Sequence, residues 1–320
     1  MDNEEDIGGY MITKNAFRYY AFGFHIYSEF ELPELSNEDQ VEATPEIVIK
    51  ESDLCKYWNA KVKDNNYFVL EKEMVLFHVP NIAIFLIEKG ESIYITPLSA
   101  NKMDEIRLYL LGTCMGILLM QKRILPLHGS GIAIDGKVYA IVGDCGAGKS
   151  TLARAFLKKG YKLISDDIIP VRLNKDGNPI VIPTYPYQKL WLESLQAFEM
   201  TTNPYKPIAY REEKFSVPME HKFETNSLPL AGIFELKKTD GEEIEIKEIR
   251  NLERLQILYN HTFRNTFLQP LDLLEWHLIT TSKLTDWLTI YQIERPKSRF
   301  TAKELVELIL NKHKGESDNE

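Results

Sequence analysis

The sequence has few cysteines and no long apolar segment. Cys55, Cys114 and Cys145 are its only cysteines, and no two of them have the spacing of metal ligands. An odd number of scattered cysteines is more typical of a reducing compartment than of a disulfide framework. The longest apolar stretch, residues 108–120, is interrupted by glycine and threonine and is too short to cross a bilayer. It predicts a buried helix.

Basic residues are also scarce relative to acidic ones. The chain carries 38 Lys and Arg against 47 Asp and Glu, a formal net charge of −9. Generic nucleic-acid binding depends on a surplus of Lys and Arg, so this balance argues against a nucleic-acid partner and leaves a local basic groove open. The first six residues are acidic and lack the basic-then-apolar order of a signal peptide. These features predict a cytoplasmic protein without a membrane partner, and they leave a homo-oligomer open.

The length and a change of pattern after residue 122 predict two domains, 1–122 and 123–320. The first is expected to be a β-rich α+β domain closed by a helix over 102–122. Short segments rich in β-branched and aromatic residues predict its antiparallel strands. They are 19–27, 46–50, 67–70, 74–79, 82–87 and 92–95.

The second domain is expected to be an α/β domain. Asp135-Gly136 predicts a hairpin turn between strands at 131–134 and 137–142. A glycine-rich loop, a helix over 149–159 and a strand over 162–165 follow, an order that builds a parallel sheet. Further strands are predicted at 179–182 and 230–236, and further helices near 193–198, 252–260, 271–288 and 302–314.

Residues 143–150 match the phosphate-binding motif G-x-x-x-x-G-K-[ST] without a mismatch. The glycines permit positive φ, and the amides of residues 146–149 are expected to point at phosphate with the positive end of the following helix. Lys149 is predicted to bind the β and γ phosphates of ATP, and Ser150 to bind Mg²⁺. The alternative is a glycine-rich turn that binds nothing. The candidate nucleotide-binding residues are Gly143, Asp144, Cys145, Gly146, Ala147, Gly148, Lys149, Ser150 and Thr151.

Asp166 and Asp167 follow the strand that comes after the loop helix. Neighbouring parallel strands present their carboxyl ends to one crevice, so both carboxylates are expected beside the phosphates. One would hold Mg²⁺ and the other would accept the proton of an attacking hydroxyl. The alternative is a pair of exposed loop aspartates or a helix cap.

Three further residues are candidates on weaker grounds. His128 precedes the hairpin, and a lone histidine is more often structural than catalytic. Arg211 and Lys214 lie in a stretch that we expect to be irregular. They would neutralise transferred phosphate, or they form a solvated charge cluster.

The His-Gly pair at 128–129, the loop 143–151, the strand ending in Asp166-Asp167 and the spacing between them resemble the HPr kinase/phosphorylase family over residues 123–190. The resemblance implies a P-loop kinase domain like the C-terminal domain of HPr kinase, with ATP and Mg²⁺ as cofactors. It also implies that His128 and Lys149 lie at the active site. Combined with the alternation of side chains along a strand, it assigns Asp166 as the base and Asp167 as a metal ligand.

Two segments depart from the HPr enzymes. The Gly-Leu-Gly-Ile-Ile-Asn signature of that family, tied to reverse phosphorolysis, is absent, and residues 183–191 read Pro-Thr-Tyr-Pro-Tyr-Gln-Lys-Leu-Trp instead. The segment 21–34 is also foreign to HPr kinases. Both resemble the HPr-kinase-like proteins of lasso peptide biosynthesis, which phosphorylate a serine at the carboxyl end of a precursor peptide.

The leading hypothesis is therefore an ATP-dependent kinase that acts on a serine of a peptide or small protein, most specifically a lasso precursor. A small-molecule kinase would carry the same loop and carboxylates and would differ in having a closed acceptor pocket. The aromatic stretch 185–191 favours an open groove. A third hypothesis is a nucleotide-gated binding protein that transfers no phosphate.

Overall fold

Short runs of β-branched and aromatic residues build two large sheets in this chain, and amphipathic helices cover them. The structure is a computed structural model that describes residues 4–7, 10–13, 16–38, 43–62, 66–203, 205–208 and 211–317. Strands and helices are mixed along the whole of this part, so the expected combination of α and β structure is confirmed.

In the described part of the chain, ten strands form the β-rich region that precedes the long helix. They are β1 Glu4–Ile7, β2 Tyr10–Thr13, β3 Phe17–Ala21, β4 Phe24–Ser28, β5 Ser36–Asn37, β6 Ile47–Glu51, β7 Phe68–Glu71, β8 Met74–Val79, β9 Ala83–Glu88 and β10 Ser92–Pro97. β1 pairs with β2, and the other eight form a sheet of order β5-β3-β4-β6-β10-β9-β8-β7. A short helix that the sequence did not predict, α1 (Cys55–Lys61), buries Trp58.

The prediction of a purely antiparallel sheet is wrong at its centre. β6 runs parallel to both β4 and β10. Tight turns join antiparallel neighbours, as between β3 and β4, whereas β4 reaches β6 through a longer crossover connection that returns the chain in the same direction.

The apolar stretch 108–120 is a buried helical segment, as predicted. α2 (Met103–Tyr109) continues through a π-helical turn, Leu110–Cys114, into α3 (Met115–Gln121). Residues 110–120 are all buried. No helix in the described part of the chain is long and apolar enough to cross a membrane.

The second half of the chain adds ten strands and five helices within the described residues. The strands are β11 Leu125–Ile134, β12 Lys137–Gly143, β13 Lys162–Leu173, β14 Pro179–Val181, β15 Tyr187–Trp191, β16 Lys206–Ile208, β17 Arg211–Pro218, β18 Leu228–Thr239, β19 Glu245–Ile249 and β20 Thr289–Pro296. The helices are α4 Lys149–Lys158, α5 Leu192–Ala197, α6 Glu253–Asn260, α7 Leu274–Thr285 and α8 Ala302–Ser317. Short 3₁₀ turns occupy Ala100–Lys102, Glu220–Lys222 and Asn265–Phe267.

The main sheet of this half has the order β12-β11-β13-β14-β18-β20-β19, and an additional pairing of β12 with β18 closes five strands into a ring. The hairpin of β11 and β12 around Asp135-Gly136 is confirmed, with both turn residues at positive φ. The expectation that β12 and β13 are adjacent parallel strands is wrong. β11 fills that edge of β12, so β13 pairs with the far edge of β11, and the parallel neighbour of β12 is β18.

The stretch around Arg211 and Lys214 was expected to be irregular, yet it belongs to a small sheet of order β15-β17-β16. β19 and β20 were also not predicted. Charged residues interrupt the apolar alternation in β17, whose sequence is REEKFSVP, so its strand character depends on its partners.

One apolar core crosses the predicted boundary between residues 122 and 123. The ring of Phe22 lies 5.8 Å from that of Tyr185, and Ile182, Ile168 and Leu268 belong to the same buried cluster as the strands of the first sheet. The boundary itself remains a prediction. This packing brings together segments 21–34 and 183–191, the two segments that differ from the HPr enzymes in sequence.

The stability of this fold is expected to depend on pH through a buried histidine. His277 on α7 lies 2.8 Å from Thr262 Oγ1, whose own hydroxyl donates to the Leu258 carbonyl at 2.7 Å. Since the only hydroxyl proton is used there, His277 Nε2–H is the donor to Thr262. Burial lowers the pKa of His277 from 6.5 to about 4.

We therefore expect acid to destabilise the protein through His277. As pH falls below 6.5, the unfolded state takes up a proton that the folded state binds only near pH 4. His277→Gln should remove about 2 kcal/mol of the stability loss between about pH 7.5 and about pH 5. Urea unfolding at both values measures this, with the exposed His221→Gln as the matched control. An equal pH dependence in His277→Gln and wild type would contradict it.

Candidate active site

The glycine-rich loop joins the end of β12 to the start of α4. Gly143, Gly146 and Gly148 have φ of 144°, 77° and 105°, so the predicted left-handed backbone is confirmed. A Cβ on Gly143 would lie 2.5 Å from the carbonyl oxygen of Leu236 on β18. No side chain fits there, because the loop leaves the sheet in contact with its parallel neighbour.

Most of the expected amide donors of the loop are available. Within the described part of the chain, no acceptor bonds the N–H of Gly146, Gly148 or Lys149. Ala147 differs from the expectation, because its N–H donates to the Asp144 carbonyl at 3.0 Å. Lys149 Nζ donates to the carbonyls of Gly143 and Asp144 at 2.7 and 3.1 Å, and burial lowers its pKa.

The other loop side chains face different surroundings. Cys145 is exposed at the loop apex. Thr151 Oγ1 lies 2.7 Å from Ser194 Oγ on α5, which fixes the first turn of α4 against that helix. Ser150 Oγ lies 3.4 Å from Asp166 Oδ1, so the loop and the carboxylate pair meet.

Asp166 is a buried carboxylate with donors on both oxygens. Ser130 Oγ donates to Oδ1 at 2.6 Å, and the Lys189 backbone N–H donates to Oδ2 at 2.8 Å. Burial raises the pKa of Asp166 despite these donors. A cation bound beside it would favour its ionised form.

Asp167 does not point to the opposite side of the sheet from Asp166. The alternation of a regular strand predicts opposite sides, but the φ of Asp167 is +73°, which breaks the alternation in the middle of β13. Both carboxylates line one cleft with the loop. Asp167 is also not at a strand end, because β13 continues to Leu173.

Two basic side chains surround Asp167. Lys189 Nζ lies 2.6 Å from Oδ2, and His128 Nδ1 lies 3.6 Å from Oδ1. Burial alone would raise the pKa of Asp167, but the charge of Lys189 outweighs burial and holds that pKa well below its usual range. For Lys189, burial is likewise outweighed by the Asp167 carboxylate, which raises the lysine pKa.

His128 is oriented by the backbone of its neighbour. Its Nδ1 lies 3.0 Å from the Asp167 carbonyl oxygen. A carbonyl only accepts, so Nδ1 carries the proton and Nε2 of the neutral ring has a lone pair. Burial lowers the pKa of His128, which keeps the ring neutral at neutral pH.

The structure brings Lys214 to the same cleft. It lies on β17 opposite Trp191 of β15, with Nζ 5.5 Å from the ring centroid. The backbone of Arg211 begins β17, but its side chain lies outside the described residues.

Several residues at this site were not predicted from the sequence. Lys189 and Ser130 contact the Asp pair, and Gln188 Nε2 donates to the Ser150 carbonyl at 3.0 Å. Ser130 stands in the His-Gly segment, whose alternation along β11 was an available signal. No sequence signal indicated a site role for Lys189 and Gln188, because their position depends on the unpredicted pairing of β15 with β17.

The cleft measures about 1230 Å³ and extends from the loop to the π-helical turn of the first half. No cluster of three or more acidic, histidine or cysteine side chains suited to hold a metal occurs in the described ranges. Mg²⁺ in nucleotide sites takes few protein ligands and keeps water and phosphate oxygens. The Ser150–Asp166 pair fits that pattern, and the buried Gln188 Oε1 beside it has no hydrogen-bond partner in the described part.

Known proteins resemble this chain over a limited extent. No family model matches it. An HPr kinase/phosphorylase from Mycoplasmopsis pulmonis (strain UAB CTIP) is 40% identical over 63 residues. The chain is similar to HPr kinase/phosphorylase. The match spans 19% of this chain and 20% of the relative's length.

One solved structure gives a weaker likeness. The HPr(Ser) kinase/phosphatase from Coxiella burnetii covers 60% of this chain and 98% of its own, with 14% identity and a TM-score of 0.33. A TM-score this low adds no argument about fold or function.

The Lys189–Asp167 ion pair gives a stability prediction. Lys189→Met leaves a largely buried carboxylate without its cation, so we expect a loss of about 3 kcal/mol in the free energy of unfolding. The double variant Lys189→Met/Asp167→Asn should recover most of that loss, because no charge is then left unpaired. Urea unfolding of the two single variants and the double variant measures the coupling. A double variant no more stable than Lys189→Met would refute the pairing as a source of stability.

Proposed function

We propose that this protein is an ATP-dependent kinase that transfers the γ-phosphoryl group to a serine hydroxyl of a peptide. The observation that carries the proposal is the meeting of three groups in one cleft: the loop lysine Lys149, the Ser150–Asp166 oxygen pair, and Asp167 with His128. The partial similarity to HPr kinase/phosphorylase supports the same reaction class.

The nucleotide end of the site is the loop. Its free amides, the N-terminus of α4 and Lys149 bind anionic oxygens. Ser150 and Asp166 would hold Mg²⁺. When bound, ATP supplies the phosphoryl group, and Mg²⁺ neutralises part of the negative charge of the phosphates.

We assign the two carboxylates in the reverse of the order expected from the sequence. Asp166 is buried next to Ser150, and both of its oxygens already accept hydrogen bonds, which suits a metal ligand. Asp167 keeps 21% of its side chain exposed on the cleft, where an acceptor hydroxyl reaches it. Asp167 is therefore the proposed base.

In the proposed transfer, the serine oxygen attacks phosphorus and its proton moves to the Asp167 carboxylate. Lys149 stabilises the negative charge that stays on the departing diphosphate. A weak base suffices, because phosphoryl transfer depends on positioning and charge stabilisation more than on early proton removal. Lys189 holds Asp167 ionised, and the hydrogen bond of His128 to the Asp167 carbonyl helps to hold the residue in place.

The proposed acceptor is the carboxyl-terminal region of a lasso peptide precursor. The size of the cleft favours a peptide over a small molecule. Leu108, Tyr109, Gly112 and Thr113 of the first half form one wall of it, so both halves would contact the acceptor. The segments 21–34 and 183–191, which carry the resemblance to lasso-associated kinases, pack together beside this wall.

Lys149→Ala is expected to abolish phosphotransfer while the protein stays folded, because Lys149 bonds only loop carbonyls. The assay combines Mg·ATP with a lasso precursor peptide that ends in a serine-containing segment, and with the same peptide carrying alanine. Lys159→Ala, which removes an exposed lysine paired with Glu307, is the matched control and should keep full activity.

Two other outcomes would overturn the proposal. Phosphorylation of small hydroxyl compounds but of no peptide would favour a small-molecule kinase. Nucleotide binding without consumption of ATP in the presence of any acceptor would favour a binding protein.

The two carboxylates should differ in kinetics. Asp166→Asn is expected to weaken Mg²⁺-dependent nucleotide binding, since a neutral amide is a poor Mg²⁺ ligand. Asp167→Asn should leave binding nearly intact and lower turnover by about 10²–10⁴-fold, as for the loss of a general base. Nucleotide titration and single-turnover assays of both variants separate the roles. The opposite pattern would restore the order expected from the sequence, and full activity in both would remove the pair from the mechanism.

A further inference from the structure

Four basic side chains collect where β18 and β20 end, next to the glycine-rich loop. They are Lys238, Arg295, Lys297 and Arg299, and all of them border the cleft. β18 runs parallel to β12 and β20 runs parallel to β18, so the ends of these strands reach the edge of the sheet from which the loop departs.

Two of these cations are already neutralised. Lys297 Nζ lies 3.2 Å from Asp240, and Arg299 is paired with Glu304. In the described part of the chain, Lys238 and Arg295 have no carboxylate partner. The cluster therefore divides into a paired half and an unpaired half.

The unpaired half is the half that flanks the loop. Lys238 Nζ lies 3.7 Å from the position that a Cβ on Gly146 would occupy. Arg295 Nη2 lies 3.0 Å from the corresponding position on Gly148. These two glycines carry amides that have no acceptor among the described residues.

Arg295 is held in place although no carboxylate among the described residues pairs with it. It is half-buried, and its Nε–H donates to the Ala147 carbonyl at 2.8 Å. Burial lowers its pKa, which reports the cost of a cation without an anion in these surroundings. A bound anion would offset that cost.

We propose that Lys238 and Arg295 form a second phosphate-binding site that contacts the phosphate chain of a nucleoside di- or triphosphate beside Lys149. The proposal deepens the proposed function and rests on it for the identity of the ligand. The two residues lie on β18 and β20, on the edge of β12 opposite β11 and β13. They would therefore hold the phosphates from the side opposite the Asp pair. They extend the nucleotide site beyond the nine candidate residues of the loop, 143–151.

Lys238 gives the cleaner test of the two. Arg295 bonds the loop carbonyl of Ala147, so its loss would also change the shape of the loop. The exposed side chain of Lys238 has no hydrogen bond or ion pair to the described residues, and its replacement leaves the packing unchanged. An effect of Lys238→Gln on affinity would therefore come from the lost charge.

The experiment measures the Kd of Mg·ADP by calorimetric titration for wild type, Lys238→Gln and Arg295→Gln. Lys297→Gln is the matched control, since it removes a neighbouring cation that is already paired. We expect each of the first two variants to bind about tenfold more weakly or worse, as for the loss of a charged hydrogen bond, and the control to change less than about twofold. Raising the salt concentration should weaken nucleotide binding less in Lys238→Gln than in wild type.

Arg295→Lys separates charge from loop shape. If Arg295 binds phosphate, the lysine variant should recover part of the affinity that Arg295→Gln loses, and its salt dependence should return toward that of wild type. A loss of affinity equal in the two Arg295 variants, with unchanged salt dependence, would reduce Arg295 to a residue that shapes the loop and would overturn its half of the proposal.

The outcomes for the second phosphate site and for the kinase are distinct. Wild-type binding of Mg·ADP with equal affinity in Lys238→Gln, Arg295→Gln and Lys297→Gln would overturn the second site and leave the proposed kinase intact. Binding of Mg·ADP that depends on Lys238, without phosphotransfer to any acceptor, would support the second site and overturn the kinase.

Discussion

The carboxylate of Asp166 joins the elements on which the site depends. It lies on β13 and accepts hydrogen bonds from Ser130 on β11, Ser150 on α4 and the backbone of Lys189 on β15. A buried carboxylate is costly unless donors satisfy it, so these bonds fix the distances between the loop helix, the sheet and β15. The positions of the loop, the second carboxylate and the small sheet therefore depend on the hydrogen bonds of Asp166.

The strand β11 determines how the loop and the carboxylates come together. Gly129 pairs with Val142 on one side and with Asp167 on the other, so the end of β12 and the carboxylates stand at one level, two strands apart. A Cβ on Gly129 would lie 2.2 Å from the carbonyl oxygen of Ile141, so only glycine fits there. The left-handed φ of Asp167 then directs the second carboxylate into the same cleft as the first.

The local parts of this arrangement were predictable from the sequence, and the distant pairings were not. The phosphate loop, the hairpin at Asp135-Gly136 and the buried helix depend on neighbouring residues, and their patterns are local. The position of β11 between β12 and β13, the pairing of β15 with β17 and the basic ends of β18 and β20 join residues far apart in the chain. For this reason the sequence did not identify Lys189, Lys238 and Arg295 as site residues. The alternation rule was wrong for Asp167 because the positive φ of that residue interrupts the regular strand.

Net charge was a poor guide to the site for the same reason. A chain of net charge −9 argues against polyanionic partners, yet the sheet collects cations at the edge where its parallel strands end. The pairing of these cations with carboxylates differs along the cleft. Lys189 is neutralised by Asp167, whereas Lys238 and Arg295 have no carboxylate partner among the described residues. A cleft that is positive at the loop and balanced at Asp167 favours an anionic ligand at one end and a neutral group at the other. That polarity matches a nucleotide donor and a hydroxyl acceptor, and it arises from strand order, not from composition.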